Sequence, residues 1–440
     1  MSEEDTESVS LPYGDRLVSA KVAVGRCLGT LDVRAIEGLA EPERAIREAL
    51  IDPIGLERSI FEVVQPGEQV VILVSDSFRQ TRADLMLPVL IDGLVSAGAS
   101  ESDLSILFST GTHRGPTEDE QREILGEDVY ARMRGRIHVH DARDADNHVF
   151  VGTTGRGTPV EINRRVHEAD RVIVTGSVVL HYFGGFGGGR KSVVPGVASA
   201  RTISHNHAMN LHATEDRLDP KVRIGMLAGN PVAEDMLEAT RLTHADCIVN
   251  TVLNRDGEIA GVFAGELEAA HEAACAFARG LFEVPIQERA DIVIAASPTT
   301  KNFVQTHKAL FNAFQAVAPN GRVVLLAPCR EGLGEEQFTQ WLKLGDRAEI
   351  IAALRRRSEI NGQTALSTRE KAPRTVMVTE LSDEDVALLG ARRAESLQEA
   401  VDAVFGDLVR AGIDAPGYYL MPTAAYTVPG LEREGVNDTY

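Results

Sequence analysis

The sequence predicts an α/β protein with two Rossmann-like domains. Short apolar runs rich in β-branched residues alternate with amphipathic segments along the chain. Nearly continuous apolar strands separated by helices are typical of parallel sheets covered on both faces. A length of 440 residues with 43% apolar residues is enough for two or three domains. The strands form two series, and we therefore expect two domains with a boundary near residue 285.

The first series of predicted strands ends before a long helical segment, "ELEAAHEAACAFARGLF", and the second series follows it. The strands of the first series are "QVVILVS" (69–75), "DLSILFST" (103–110), "RIHVHD" (136–141), "DRVIVTG" (170–176) and "DCIVNTVLN" (246–254). Those of the second are "ADIVIAAS" (290–297), "RVVLLAP" (322–328) and "RTVMVTE" (374–380). We therefore expect one domain over 1–284 and a second over 285–407, with the polar C-terminal tail, about 408–440, either fraying or packing back on the first.

Charge and cysteine content limit the function classes. The formal charge of -20 at pH 7 argues against nucleic-acid or anionic-membrane partners, because like charges repel on average. The four cysteines are scattered, which indicates reduced thiols and neither a disulfide framework nor a zinc knuckle. The acidic start "MSEEDTESVS" lacks the features of a signal peptide. We therefore expect a cytoplasmic protein without a membrane anchor.

The stretch "HYFGGFGGGRKSVVPG", residues 181–196, combines many glycines with a lysine. Glycines allow backbone N–H groups to approach an anion closely, so a phosphate site is one interpretation. The stretch matches neither the P-loop pattern nor the dinucleotide fingerprint, and a flexible loop is the other interpretation. His113, His181, His205 and His207 occur after strands or close to this stretch, a distribution that suits acid–base chemistry or metal binding.

Five motifs in order resemble those of the nickel-dependent lactate racemase family. They are "STGTHRG", "HYFGGFGGGRKSVVPG", "HNHAMN", "GNPVAEDM" and "PTTKNFVQTHKAL". The resemblance covers residues from about 20 to about 330. It implies a two-domain enzyme with its active site in the cleft between the domains, where the second domain closes over the substrate. It also implies a covalently attached cofactor, the nickel-pincer nucleotide, a pyridinium mononucleotide that holds nickel through two sulfurs and a ring carbon.

The resemblance also implies a role for each matching residue. Lys191 corresponds to the lysine that bonds the cofactor, and His207 to the histidine that completes the nickel coordination, with His205 as the alternative ligand. The catalytic acid–base pair corresponds to His113 and His181. The remaining implied residues contact cofactor or substrate: Asp76, Gly187, Gly188 and Gly189 on the cofactor side, and Arg79, Gln305 and Lys308 on the substrate side.

The implied reaction inverts C2 of a 2-hydroxy acid such as lactate. Removing that hydrogen as hydride avoids a dianion, and one histidine takes the hydroxyl proton while the other returns a proton on the opposite face. The chain departs from the family pattern at Phe78, where threonine is common, and at Val304, where lactate racemase has tyrosine. Both changes favour a substrate with an aliphatic side chain, because buried hydroxyls without partners are penalised.

Other functions remain open on the sequence alone. A C2 epimerase of a sugar acid such as gluconate would use the same residues with different pocket walls. A non-catalytic protein that binds the cofactor or a nucleotide would need no pair of opposed histidines, and a dehydrogenase would need a dinucleotide fingerprint. The partners expected are the small hydroxy acid and the separate enzymes that make the cofactor.

Overall fold

The structure, a computed structural model, describes residues 6–23 and 26–431, and the chain divides into two compact units. The central unit comprises Ala35–Gly280. The split unit comprises the described residues of 1–34 and 281–440. The sequence-based boundary at 284/285 lies four residues from the break between the units.

The strands are numbered in chain order within the described ranges. They are β1 (Thr6–Tyr13), β2 (Arg16–Ala23), β3 (Cys27–Thr30), β4 (Val70–Ser75), β5 (Leu104–Ser109), β6 (Ile137–Val139), β7 (His148–Thr153), β8 (Pro159–Asn163), β9 (Arg171–Ser177), β10 (Leu180–His181), β11 (Gly185–Phe186), β12 (Cys247–Leu253), β13 (Ile259–Gly265), β14 (Glu283–Ile286), β15 (Ala290–Ala296), β16 (Val317–Leu326), β17 (Thr375–Val378), β18 (Arg392–Ala394), β19 (Tyr418–Met421) and β20 (Val428–Leu431).

The helices are numbered in the same way. They are α1 (Pro42–Ile51), α2 (Ala83–Ser96), α3 (Glu118–Leu125), α4 (Glu127–Met133), α5 (Arg164–Glu168), α6 (Ala200–Ala208), α7 (Pro231–Arg241), α8 (Leu267–Phe282), α9 (Phe303–Ala316), α10 (Glu336–Lys343), α11 (Arg347–Arg356), α12 (Ile360–Lys371), α13 (Asp383–Leu389) and α14 (Leu397–Arg410). Short 3₁₀ turns lie at Ile60–Glu62, Glu101–Asp103, Ala145–Asn147, Gly189–Ser192 and Ala372–Arg374.

The central unit is built on a six-stranded sheet in the order β13-β12-β9-β4-β5-β6. All neighbours are parallel except β13, which pairs antiparallel to β12 at the edge. The interior strand β4 reads "VVILVS" and is buried on both faces, as expected where helices cover a parallel sheet. The two faces carry separate apolar clusters, one around Leu90 and Phe108 and the other around Val174 and Met236.

The split unit has a second six-stranded sheet, in the order β18-β17-β16-β15-β19-β3 and parallel throughout. The α/β class and the eight strands that we identified from the sequence are confirmed. The hairpin β1–β2 contributes Val9 and Leu11 to the core of this unit, together with Ile294 and Tyr418.

The structure differs from the sequence-based domain boundaries at both ends of the chain. We expected residues 1–34 in the first domain and the tail from about 408 either to fray or to pack back on that domain, but β3 and β19 lie in the sheet of the split unit. The cause is a long-range strand pairing: "YYLM" of β19 is an apolar strand that pairs along β15. Tail residues 432–440 lie outside the described residues.

No helix within the described ranges is both long enough and apolar enough to cross a membrane.

Candidate active site

Three neighbouring strands of the central unit bring the predicted residues of that unit to one edge of its sheet. Strand β4 lies between β9 and β5, and each of the three is followed by one of the unusual loops. Because the chain goes from β4 to β5 on one side and later to β9 on the other, this edge is a topological switch point. Ligands of open α/β sheets bind at such points, outside the carboxyl ends of the strands.

The loops after β4 and β5 are joined by an aspartate–histidine pair. Asp76, which is 2% exposed, accepts a hydrogen bond from Nδ1 of His113 at 2.7 Å. The other carboxylate oxygen of Asp76 accepts from the backbone N–H of Phe78 at 3.1 Å. A carboxylate only accepts hydrogen bonds, so the neutral form of His113 carries its proton on Nδ1 and its lone pair on Nε2. This is the arrangement of an oriented general base.

An aromatic ring lies against this base. The ring of Phe78 is 42% exposed, and its centroid is 4.9 Å from that of the His113 imidazole. The guanidinium of Arg114 lies 5.4 Å from the same ring and forms an ion pair with Glu120. The surface beside His113 therefore combines an exposed aromatic ring with a cation that is itself paired to a carboxylate.

His181 lies at the start of the glycine stretch, in the two-residue strand β10, which pairs with β11. Its Nδ1 accepts hydrogen bonds from the backbone N–H groups of Phe183 at 3.2 Å and Gly184 at 3.1 Å. The imidazole stacks on Tyr182 at 5.2 Å between ring centroids. The hairpin turn thus fixes the orientation of this ring.

Two of the three glycine amides predicted to hold a phosphate already have partners in the chain. The N–H of Gly187 donates to the carbonyl of Val179 at 2.8 Å, and that of Gly189 donates to Oδ1 of Asn250 at 3.2 Å. Gly188 needs to be glycine, since its φ is +67° and a Cβ there would lie 2.7 Å from the same Asn250 oxygen. A phosphate site made of all three amides would require both of these hydrogen bonds, from Gly187 and from Gly189, to break.

Lys191 lies in the 3₁₀ turn that ends the stretch, and its positive charge acts on His207. Burial first, and this charge second, lower the pKa of His207 to about 3, so the imidazole is neutral at physiological pH. His207 is 6% exposed and His205 is exposed, although both lie on α6. Of the two histidines weighed as the nickel ligand, only His207 is buried beside the lysine.

The tautomer of His207 follows from its neighbour Asn206. The amide nitrogen of Asn206 donates to the carbonyl of Val232 at 3.1 Å and to the carboxylate of Asp235 at 2.9 Å, which identifies its other atom as oxygen. That oxygen lies 3.1 Å from Nδ1 of His207, so Nδ1 carries the proton and Nε2 the lone pair. This is the form in which imidazole binds a metal.

The remaining predicted residues are exposed. Arg79 donates from Nη1 to the carbonyl of Phe78 at 3.0 Å. Gln305 and Lys308 belong to the split unit, where they lie three residues apart on α9 and are both exposed. The side-chain oxygen of Gln305 accepts from the N–H of Lys301 at 3.1 Å. Among the described residues, no group of three or more His, Cys, Asp or Glu side chains is placed to hold a metal ion.

Three buried polar residues around the stretch were not identified from the sequence. They are Asn206, which orients His207, Asn250, which binds Gly189, and Arg190. Both Arg190 and Asn250 are buried. The Nε and Nη2 atoms of Arg190 and the Nδ2 atom of Asn250 have no hydrogen-bond partner within the described structure. Buried polar atoms without partners are rare and costly. A polar residue inside an apolar strand, as in "CIVNTVL", is the signal that could have identified Asn250.

The fold and site define a two-unit α/β protein with a histidine hydrogen-bonded to a buried aspartate and a neutral, buried imidazole beside a lysine. Residues 13–219 match the model of the lactate racemase N-terminal domain. The chain is 32% identical to a lactate racemase of Thermoanaerobacterium thermosaccharolyticum over 341 residues, which are 76% of this chain and 78% of the relative. It is 34% identical to a lactate racemase of Lactiplantibacillus plantarum over 337 residues, or 75% and 77% of the two chains.

Comparison with solved structures agrees with these sequence matches. The lactate racemase apoprotein of Thermoanaerobacterium thermosaccharolyticum superposes with a TM-score of 0.84 at 27% identity, covering 96% of this chain and 100% of that one. A Thermotoga maritima protein matches with a TM-score of 0.63 at 19% identity over 89% and 98% of the chains, which shows the fold alone. The chain belongs to the lactate racemase family, as the sequence motifs predicted, and is an isomerase of the racemase type.

Proposed function

We propose that this protein racemises a 2-hydroxy acid with an apolar side chain at C2, using a nickel-pincer nucleotide bonded to Lys191. The observation that carries the proposal is that Lys191 lies close enough to His207 for its charge to lower the histidine pKa. His207 is a neutral imidazole with its lone pair on Nε2. A metal held mostly by an organic cofactor needs one such protein ligand. The absence of a three-residue metal cluster in the described ranges is compatible with that donor set.

The residues present fit the cofactor in three respects. The half-buried Lys191 supplies an amine for the covalent bond, and His207 supplies one nitrogen ligand. Nδ2 of Asn250 and the Nε and Nη2 atoms of Arg190 are buried donors without a partner in the described structure, and an anionic group bound at the glycine stretch would satisfy them. When bound, the cofactor supplies a reversible acceptor for the C2 hydride. We infer that separate biosynthetic enzymes deliver it.

His113 performs the first proton transfer in this proposal. Its Nε2 takes the proton of the substrate hydroxyl, and the resulting imidazolium is stabilised by the Asp76 carboxylate at 2.7 Å. On the opposite face of the planar 2-oxo acid, a proton from His181 returns to the oxygen. Arg79, and in the split unit Gln305 and Lys308, would bind the substrate carboxylate, with Arg79 able to form a bidentate pair.

The exposed ring of Phe78 against His113 favours an apolar substrate side chain over a polyhydroxylated one. A sugar acid would place hydroxyl groups against this ring without partners, at a cost in free energy. The Asp76–His113 pair also favours an enzyme over a cofactor-binding protein, since such a protein has no use for an oriented base.

A racemisation assay with protein co-produced with the cofactor enzymes tests the proposal. Enantiopure lactate and 2-hydroxyisovalerate should lose optical purity, and His113→Ala and His181→Ala should each abolish the reaction. Full activity of either variant would remove that histidine from the mechanism. Faster conversion of gluconate than of either aliphatic acid would favour the sugar-acid epimerase.

A further inference from the structure

The two proposed acid–base histidines are held by opposite kinds of hydrogen-bond partner. Nδ1 of His113 faces a carboxylate, which only accepts. Nδ1 of His181 faces the N–H groups of Phe183 and Gly184, which only donate. The two imidazoles therefore carry their protons on different nitrogens.

We propose that the Tyr182–Gly184 turn holds resting His181 as its Nε2–H tautomer, and that this turn must release Nδ1 before His181 can transfer a proton. The tautomer follows from the chain itself, whereas its catalytic consequence rests on the proposed function. Phe183 and Gly184 are positioning residues in this scheme, because they act on the substrate only through His181.

The consequence follows from the proton count on the ring. To act as a base at Nε2, His181 needs its lone pair there and its single proton on Nδ1. To act as an acid at Nε2, it must start as the imidazolium, with protons on both nitrogens, since a neutral ring would be left as an imidazolate. Both roles require a proton on Nδ1, where two N–H donors now point. In the resting form His181 can only donate a hydrogen bond from Nε2 to the substrate oxygen.

The same turn contacts the proposed nickel ligand. Phe183 donates its N–H to His181, while its ring, 1% exposed, packs 4.6 Å from the imidazole of His207. The carbonyl of this residue also accepts from the side chain of Asn230 at 3.1 Å. The turn is therefore fixed at several points, and the orientation of His181 is tied to the packing around His207.

Nitrogen-15 NMR of the histidine side chains tests the tautomer in the apoprotein. In a long-range proton–nitrogen spectrum at neutral pH, His181 should show Nδ1 shifted strongly downfield, as an unprotonated nitrogen, and Nε2 as the protonated one. His113 should show the reverse pattern. Spectra of His181→Gln and His113→Gln assign the signals by their loss. The same tautomer in both histidines, or a protonated Nδ1 in His181, would overturn the inference.

His212 provides an internal reference. Its Nδ1 accepts from the N–H groups of Thr214 at 3.4 Å and Glu215 at 3.1 Å, the geometry also found at His181. Its signals should therefore follow the pattern of His181 and differ from that of His113.

A pair of substitutions at Gly184 tests the role of the turn. Gly184→Pro removes one of the two N–H donors, whereas Gly184→Ala keeps it and places a Cβ in ordinary contact, 3.5 Å from Lys191. Losing one hydrogen bond should raise the ratio of the Nδ1–H to the Nε2–H form of His181 about fivefold. The alanine variant should match the parent protein. Equal spectra for the proline and alanine variants would contradict the role of the turn.

The outcomes also separate this inference from the proposed function. If Gly184→Pro fails to fold, the spectrum of the parent protein still decides the tautomer. An Nε2–H His181 in a protein that never racemises any hydroxy acid would support the tautomer and sink the proposed function. A racemase whose resting His181 is protonated on Nδ1 would do the opposite.

Discussion

Replacing Asp76 by asparagine should nearly abolish racemisation while leaving the fold intact. The backbone N–H of Phe78 donates to one oxygen of residue 76, so the oxygen of the new amide should keep this place. The amide nitrogen would then face Nδ1 of His113 and donate to it. His113 would become the Nε2–H tautomer, which has no lone pair for the substrate proton.

The magnitude follows from the distance between the two side chains. At 2.7 Å and an effective dielectric constant of about 20, a carboxylate attracts an imidazolium by about 6 kcal/mol. The amide would retain part of this through its dipole, and we expect a loss of roughly 3–4 kcal/mol in the transition state. That loss corresponds to a fall in kcat of about 10²–10³.

The assay is racemisation of enantiopure lactate by cofactor-loaded protein, followed by chiral chromatography. Asp84→Asn is the matched control, because Asp84 is a nearby carboxylate whose ion pair is with Arg82, and its kcat should stay within about twofold. If Asp76→Asn kept more than about a third of the parental kcat, His113 would not be a base oriented by this carboxylate.

Three further predictions concern specificity and stability. Phe78→Thr should lower kcat/KM for 2-hydroxyisovalerate about tenfold relative to kcat/KM for lactate, because apolar contact with the larger side chain is lost. Phe150→Thr, a control at another exposed phenylalanine, should leave this ratio unchanged. Asp235→Ala should lower the free energy of unfolding in urea by about 3–5 kcal/mol, because Thr154, Thr158 and Asn206 would each lose a buried hydrogen-bond acceptor and each unsatisfied donor costs about 1–3 kcal/mol; an effect below about 1 kcal/mol would contradict this. Burial lowers the pKa of His140 to about 4. Below pH 6.5 the unfolded chain therefore binds more protons at this residue than the folded chain does. About 3 kcal/mol of stability that is present above pH 6.5 should be lost as the pH falls to 4. His140→Gln should flatten this part of the stability–pH curve, and an unchanged slope would refute the assignment.

The sequence predicted the layers of the fold because its strand signals are strong. Runs such as "VVILVS" are apolar and buried at every position except the final serine, so composition and length identify them. The assignment of the chain ends failed because the pairing of a short strand such as β19 depends on contacts more than 100 residues away. Such contacts leave no local pattern.

In the candidate site, too, some features could be predicted from the sequence and others could not. Motif spacing alone is enough to propose roles for Lys191, His113, His181 and His207, and these roles stay predictions. The proton positions of the three histidines could not be predicted, because each depends on how a hydrogen-bond partner is oriented in the folded chain, such as Asp76 for His113 and Asn206 for His207. The engaged amides of Gly187 and Gly189 were likewise invisible, since a glycine-rich sequence does not reveal which N–H groups bind within the protein.

The attachment of the cofactor to Lys191 is the central claim and can be measured directly. Intact-mass spectrometry of the chain co-produced with the cofactor enzymes should show an added mass, and peptide mapping should place it on Lys191. The added mass should disappear in Lys191→Ala, while Lys221→Ala, a control at an exposed lysine, should keep it. An unshifted mass in the parent protein, or a shift that survives Lys191→Ala, would contradict the account.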